Sequence, residues 1–490
     1  MLRPAPSRNQ LPRLKLTTNA TWLFGCRLGG DLLNLLLFVV ISRNLGPAGM
    51  GAYAYGFAVA TFVFVIGSIG IEEYGLRQYA RLTGEQRRPF LAELLGTQLV
   101  MTAVAVAGLV VYLALTAPSP ATLVTVISLS VYQVAVGLAG TLFIPAMADQ
   151  RMAGPAVIDL VCRALAMVYA VAAILVWQAP IAPAAFGYVV AGALLIVLAA
   201  RSATRHGAAL AVKISRAAAQ RVAGALWSFA ASEVMAQLFS RVGVIALTLM
   251  LGEAAAGLFA TGLRLIEMAL TPLSMIGIAA YPRLSQLYVT DLAEFRRSGS
   301  ALTWLMLALA GGLAWGLYFV SPVLLVPVFG QKYAGSEAIV QTMAAVAVVQ
   351  AVEVVFGRLL LAADRQVARA AAVAAGALLS LALNMALVPR LGVDGAICAS
   401  VVSYAVIDVA YGFFARQPMT GTIVAHVLAT LVAGIGVGVA AAVTATAGSA
   451  WSWAPAGAFL TAFAAVAALG YRHFQTALVP ALIAPQPPRA

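Results

Sequence analysis

The chain has 490 residues, 62% hydrophobic and only 10% charged, with a formal net charge of +13 and a mean hydropathy of +0.96. A soluble chain carries roughly a quarter charged residues, so water is excluded as the solvent for most of this surface and lipid takes its place. The three cysteines, Cys26, Cys162 and Cys398, lie far apart in apolar stretches, which argues against a disulfide framework or a metal site and toward small packing residues.

A helix crossing the hydrocarbon core uses about 20 apolar residues, and a span with its loop uses roughly 35, so the length sets a prior of about 14 spans. Apolar runs between charged or Pro/Gly breaks place them near 19–41, 52–74, 92–115, 121–146, 156–177 and 183–200, then, after a basic linker, 223–250, 257–280, 299–320, 338–361, 367–388, 395–415, 422–446 and 453–471. The first is no cleaved signal, because it is too long, carries Arg27 and Asp31, and is followed by no small-residue cleavage site. The fold class expected is an all-α polytopic membrane protein of about 14 transmembrane helices, as two parallel-related six-helix bundles plus two C-terminal helices. Its divisions are an N-terminal tail (1–18), a six-helix bundle (19–204), a basic linker (205–222), a second six-helix bundle (223–415), two extra helices (416–474) and a Pro-rich tail (475–490).

Lys and Arg set the orientation. With the N-terminus inside, 22 of the 30 basic residues fall on the cytoplasmic side, including Arg3, Arg8, Arg13 and Lys15, and Arg205, Lys213, Arg216 and Arg221 in the linker. Three, Arg43, Lys332 and Arg390, fall outside, and five lie within spans: Arg27, Arg163, Arg241, Arg264 and Arg358. This asymmetry places both termini in the cytoplasm of a multi-pass inner-membrane protein. It accounts for the positive charge through topology and contact with membrane lipids, without nucleic acid.

An internal repeat follows the first span of each half. Residues 45–56 and 251–262 align at a constant offset of 206, which superposes Leu45, Gly46, Gly51 and Gly56 on Leu251, Gly252, Gly257 and Gly262. Tyr53 meets Phe259, and Arg77 meets Arg283. The glycines are expected to turn the chain between spans and to let helices approach closely. Two parallel repeats, each starting inside, are the usual machinery for alternating access, with the site at their interface.

The stretch from Ser42 through Leu45-Gly46-Pro47-Ala48-Gly49-Met50-Gly51-Ala52-Tyr53 resembles the repeat-unit (Wzx-like) flippases of polysaccharide and oligosaccharide export. These belong to the multidrug/oligosaccharidyl-lipid/polysaccharide exporter superfamily. Tyr281-Pro282-Arg283-Leu284-Ser285, Phe329-Gly330-Gln331-Lys332-Tyr333-Ala334 and Leu391-Gly392-Val393-Asp394-Gly395-Ala396 extend the resemblance, which runs from about residue 18 to 474. It implies twelve core helices around a central cavity plus two appended ones. It also implies transfer of a polyprenyl-pyrophosphate-linked oligosaccharide from the cytoplasmic to the outer leaflet for cell-surface polysaccharide assembly.

Ionisable residues inside spans each need a partner, water or a function. Arg27, Asp31 and Asn34 are spaced i, i+4, i+7 and share one face of the first helix; Glu233, Gln237 and Ser240 or Arg241 repeat that spacing on the seventh. The offset pairs Arg27 with Glu233 and Asp31 with Gln237, so equivalent faces are polar and are expected to line the shared cavity. Arg264, Glu267 and Thr271 form a stripe on span eight; Gln350 and Glu353 form one on span ten, with Arg358 farther along. Guanidinium groups in a hydrated cavity suit pyrophosphate and acidic sugars. Against this stands self-neutralisation, for which Arg27–Asp31, Arg264–Glu267 and Asp159–Arg163 all have the spacing. Arg241 has no acid at i±3 or i±4, and Asp408 is lone. Gly25/Gly29 and Gly434/Gly438 read as helix packing, and Trp451 and Trp453 as interface anchors.

The sequence holds no P-loop, only three lysines, and isolated histidines (His206, His426, His473), so neither nucleotide hydrolysis nor metal chemistry is expected, and no cofactor. The protein reads as a transporter and not an enzyme, driven by an H+ or Na+ gradient through Asp31, Glu233 or Glu353, or by downstream consumption of product. Polysaccharide polymerase and export proteins are its expected partners. The alternatives are a multidrug or cation antiporter, for which Asp31 is suited, a membrane glycosyltransferase or polymerase, and a scaffold of a surface-glycan machine.

Overall fold

The computed structural model describes residues 13–68 and 70–415, and all regular structure in them is helical. The expected spans 422–446 and 453–471 lie outside the described residues, as do Trp451, Trp453, Gly434, Gly438, His426, His473 and the C-terminal tail. The helices are α1 (Arg13–Ser68), α2 (Ile71–Tyr79), α3 (Gly84–Thr116), α4 (Pro120–Ala148), α5 (Ala153–Leu175) and α6 (Ile181–Arg205). They continue as α7 (Arg216–Leu251), α8 (Glu253–Thr290), α9 (Leu292–Phe329), α10 (Glu337–Ala362), α11 (Gln366–Leu391) and α12 (Val393–Ala415), with one 3-10 turn at Gln331–Tyr333.

Among the described residues, eleven stretches are long and apolar enough to cross a membrane, the first being Gly25–Tyr79. That stretch contains two of the expected spans, because α1 breaks at Gly46, whose φ of 74° and ψ of −167° no side chain tolerates. Pro47 follows, with its ring pre-set for a helix start and no N–H to leave orphaned. Gly252, 206 residues on, divides α7 from α8 with φ 89° and ψ 176°. The two glycines of the repeat therefore make the same turn. Several helices overrun their expected spans. α8 and α9 are each 38 residues long, against the roughly 20 that cross the hydrocarbon core, and so extend beyond it. α1 starts at Arg13, inside the expected tail, and α7 starts at Arg216, inside the expected linker.

The described residues divide into two compact units, the first comprising 13–45 and 56–234, the second 46–55 and 235–415. In the first unit α4 packs on α6, α5 on α6, α2 on α4 and α3 on α4. In the second the same pattern returns six helices later: α10 on α12, α11 on α12, α8 on α10 and α9 on α10. The first unit's core gathers Ile71, Tyr79, Leu91, Leu94, Phe143, Ile144 and Leu195, all buried. Outside it, α3 exposes Val104, Val110, Val111 and Leu115, a face that suits lipid rather than water.

Within the second unit the two copies of the glycine motif meet. A Cβ on Gly51 would collide with the carbonyl oxygen of Glu253, and one on Gly257 would collide with that of Pro47. Pro47 and Glu253 are themselves related by the 206 offset, so the contact is reciprocal, as a local two-fold relation requires. The backbones approach this closely only because neither position carries a side chain.

Candidate intramembrane polar sites

In the first unit α1 lies against α5 through glycine. A Cβ on Gly29 would sit 3.6 Å from Leu160 Cδ1, and one on Gly30 would sit 3.1 Å from Arg163 Nη1. Gly25, expected to pack, has nothing within 4 Å of a Cβ among the described residues. The packing pair is thus Gly29 and Gly30, which sit on the side of α1 turned toward α5. Arg163 Nη2 donates to Asp159 Oδ2 at 3.0 Å, the i, i+4 pair the spacing allowed. It also lies within electrostatic reach of Asp31.

Arg27 and Asp31 make no ion pair within 4.0 Å among the described residues, so their spacing alone does not bring them together. Both are exposed and Asn34 is half-buried, which leaves the polar face of α1 open at Arg27 and Asp31. Glu233 is half-buried on α7 at the edge of this unit.

The second unit gathers its charges from several helices. On α8, Arg264 Nη1 donates to Glu267 Oε2 at 3.1 Å, and the Thr271 hydroxyl donates to the Glu267 carbonyl at 2.9 Å. The stripe seen in the sequence therefore neutralises itself along its own helix.

Glu353 on α10 behaves differently. Its Oε1 accepts from the Tyr411 hydroxyl of α12 at 3.4 Å and lies 3.9 Å from Arg369 Nη2 of α11. Gly357, one turn along from Glu353, makes this convergence possible: a Cβ there would stand 3.2 Å from Arg369 Nε and 3.5 Å from Glu353 Oε1. Arg358, farther along α10, packs its Cγ toward Gly277 of α8, 3.6 Å from where that residue's Cβ would be, and stays within electrostatic reach of Glu353.

Tyr404 of α12 lies within electrostatic reach of Glu353, Glu267, Asp408 and Arg241, and its ring meets Phe239 of α7 edge-on at 4.5 Å. Arg241 and Gln237 are half-buried on α7. Asp408 is fully buried, and neither carboxylate oxygen has a hydrogen-bond partner among the described residues.

Of the sequence candidates, the structure brings Arg264 to Glu267 and gathers Arg241, Glu267 and Glu353 around Tyr404. It leaves Arg27 and Asp31 apart. Sequence reading missed Arg369, Tyr404, Tyr411 and Gly357. Tyr404, Asp408 and Tyr411 at i, i+4 and i+7 form one face of α12, which was the signal available.

A family model described as polysaccharide biosynthesis protein matches residues 16–288. Among solved structures, the chain resembles one titled lipid II flippase MurJ, inward closed conformation. That match is 12% identical with a TM-score of 0.67, covering 96% of this chain and 100% of that one. It also resembles an inward-facing multidrug resistance MATE family transporter of the MOP superfamily, 11% identical with a TM-score of 0.60, covering 81% and 95%. A further likeness is to the MATE multidrug transporter DinF-BH, 16% identical with a TM-score of 0.50, covering 85% and 98%. At these identities the likenesses establish the fold, that of a polytopic membrane transporter. No curated protein sequence matches the chain. The family match spans more than half of the 490 residues, and the chain belongs to the polysaccharide biosynthesis protein family.

Proposed function

We propose that the protein is a flippase that carries a polyprenyl-pyrophosphate-linked oligosaccharide across the cytoplasmic membrane by alternating access. The observation that carries this reading is the polysaccharide biosynthesis match over residues 16–288 on a transporter fold. In this reading the bundles 19–204 and 223–415 alternate about a central cavity, with 416–474 appended, 205–222 as linker, and tails 1–18 and 475–490 in the cytoplasm.

Arg27, Arg241, Arg264 and Arg358 offer forked cationic donors to the pyrophosphate and to acidic sugars. Asp31, Asn34, Glu233, Gln237, Glu267 and Glu353 supply hydrogen bonds and charge balance around them. The reciprocal contact of Gly51 with Gly257 lies at the end the basic-residue asymmetry places outside, and serves as a seal that parts when the outer side opens. An H+ or Na+ gradient drives the cycle, and polysaccharide polymerase and export proteins take up the product.

Two assays test the reading. Deleting the gene should accumulate complete lipid-linked repeat units on the cytoplasmic leaflet. In proteoliposomes, Arg241→Ala should slow flipping at least tenfold, with Arg241→Lys retaining part of it; wild-type flipping by the alanine variant removes Arg241 from the site. A second reading, a multidrug or cation antiporter, is favoured by one observation: Asp31 stands exposed on α1 with no ion pair among the described residues. A deletion strain that becomes drug-sensitive with intact glycans would establish it instead.

A further inference from the structure

Between the end of α6 at Arg205 and the start of α7 at Arg216 the chain forms no helix, yet it is fixed along α3. The Lys213 amide donates to the Ala92 carbonyl at 2.9 Å. Glu93 takes two cations: Lys213 Nζ on Oε1 at 2.9 Å and Arg221 Nη2 on Oε2 at 3.0 Å. Gly96 faces the Lys213 carbonyl so closely that any Cβ would strike it. Ala208 and Val222, on either side, are buried with Leu91, Leu94 and Leu95 in the core of the first unit. A loop that merely joined two helices would need none of these ties.

What the ties hold up is apolar. Leu210, Val212 and Ile214 are 53%, 55% and 73% exposed. They fall on every second residue, the spacing that puts side chains on one side of an extended chain. Around them Arg201, Arg205 and Arg216 are exposed, and Trp227 stands 69% exposed on α7.

We infer that residues 208–216 form a fixed interfacial strap, which lays Leu210, Val212 and Ile214 into the headgroup–acyl boundary of an anionic leaflet while the arginines bind lipid phosphates. The bilayer is the occupant because the segment joins the ends of two membrane-crossing helices and so lies at the interface. The occupant must also satisfy an apolar ridge flanked by cations, which an anionic lipid surface does. Hydrophobic insertion and cation–phosphate contact together give a hold that neither gives alone. The strap would fix the depth and tilt of the first unit at that surface. This inference needs only the membrane-spanning fold, and stands whatever the substrate.

The test uses the full chain with Cys26, Cys162 and Cys398 replaced by alanine and Ile214→Cys carrying an NBD fluorophore. The protein is placed in nanodiscs of phosphatidylcholine alone or of phosphatidylcholine with phosphatidylglycerol. In the anionic discs, lipid bearing a nitroxide near the headgroup should quench the probe strongly and aqueous iodide weakly. Arg205→Gln with Arg216→Gln should abolish the difference between the two lipids. A probe equally open to iodide in both lipids, and untouched by the nitroxide, overturns the strap and leaves the ridge to a protein partner. As a second measure, Leu210→Asp, Val212→Asp and Ile214→Asp together should lower Tm in anionic discs and leave it unchanged in detergent. An equal drop in detergent would mean the ridge serves the fold alone, and would also overturn the proposal.

Discussion

Gly46 and Gly252 make one and the same turn, and Gly51 and Gly257 make one and the same contact from opposite sides, yet the polar groups of the two units are arranged on different plans. In the first unit Asp159 pairs with Arg163 along a single helix, with Asp31 of α1 and Tyr132 of α4 only within electrostatic reach, while Arg27 and Asp31 remain exposed. In the second, Glu353 is reached from two other helices, and Tyr404 stands among acids and an arginine from four. The difference teaches that a repeat is kept where the backbone demands it. Only glycine fits a φ of 74° or 89° or a backbone-to-backbone approach, so these positions allow no drift. Charged side chains carry no such geometric necessity, and the two copies have diverged.

The comparison is open to direct attack, and the largest effect belongs to the shared glycines. Gly51→Val and Gly257→Val should each destabilise the protein by about 3 kcal/mol or more, since the added carbons meet carbonyl oxygen that cannot move alone. Because the contact is reciprocal, the two losses of Tm in detergent should match, while Gly25→Val should change nothing. Unequal losses would break the equivalence.

Glu353→Leu comes next. It strips Tyr411 and Arg369 of their shared acceptor and should cost about 1–3 kcal/mol, with Glu353→Gln recovering part by accepting from Tyr411. The same melting assay decides, and a leucine variant as stable as wild type would dissolve the multi-helix cluster. Arg163→Leu removes a pair held on one helix and should cost only about 0.6 kcal/mol. A loss as large as that of Glu353→Leu would erase the contrast between the units.

The smallest change expected is at Asp408. A carboxyl with no donor on either oxygen is matched in shape by a neutral amide, so Asp408→Asn should stay within about 0.5 kcal/mol of wild type. A larger loss would show that the acid holds a partner in the folded protein.

Much of the fold could be read before any coordinate. Apolar runs locate helices because every backbone group in a bilayer must find its partner within its own segment, so each span declares itself locally. The Leu-Gly turns and the pairs Asp159–Arg163 and Arg264–Glu267 are legible for the same reason: their determinants lie within a turn of chain. Arg27–Asp31 shows where that logic fails, since correct spacing permits a pair and does not compel it.

What the tertiary structure alone decided is how each helix is turned about its own axis and at what depth it meets its neighbours. That rotation gives Glu353 to Tyr411, 58 residues away. It sets Gly357 where only a missing side chain admits Arg369. It carries Lys213 to Glu93 across 120 residues and turns a basic linker into a docked strap with an apolar ridge. A span's hydropathy is a property of its own residues, whereas its rotation is fixed by the summed packing of every helix around it, which no stretch of sequence contains by itself.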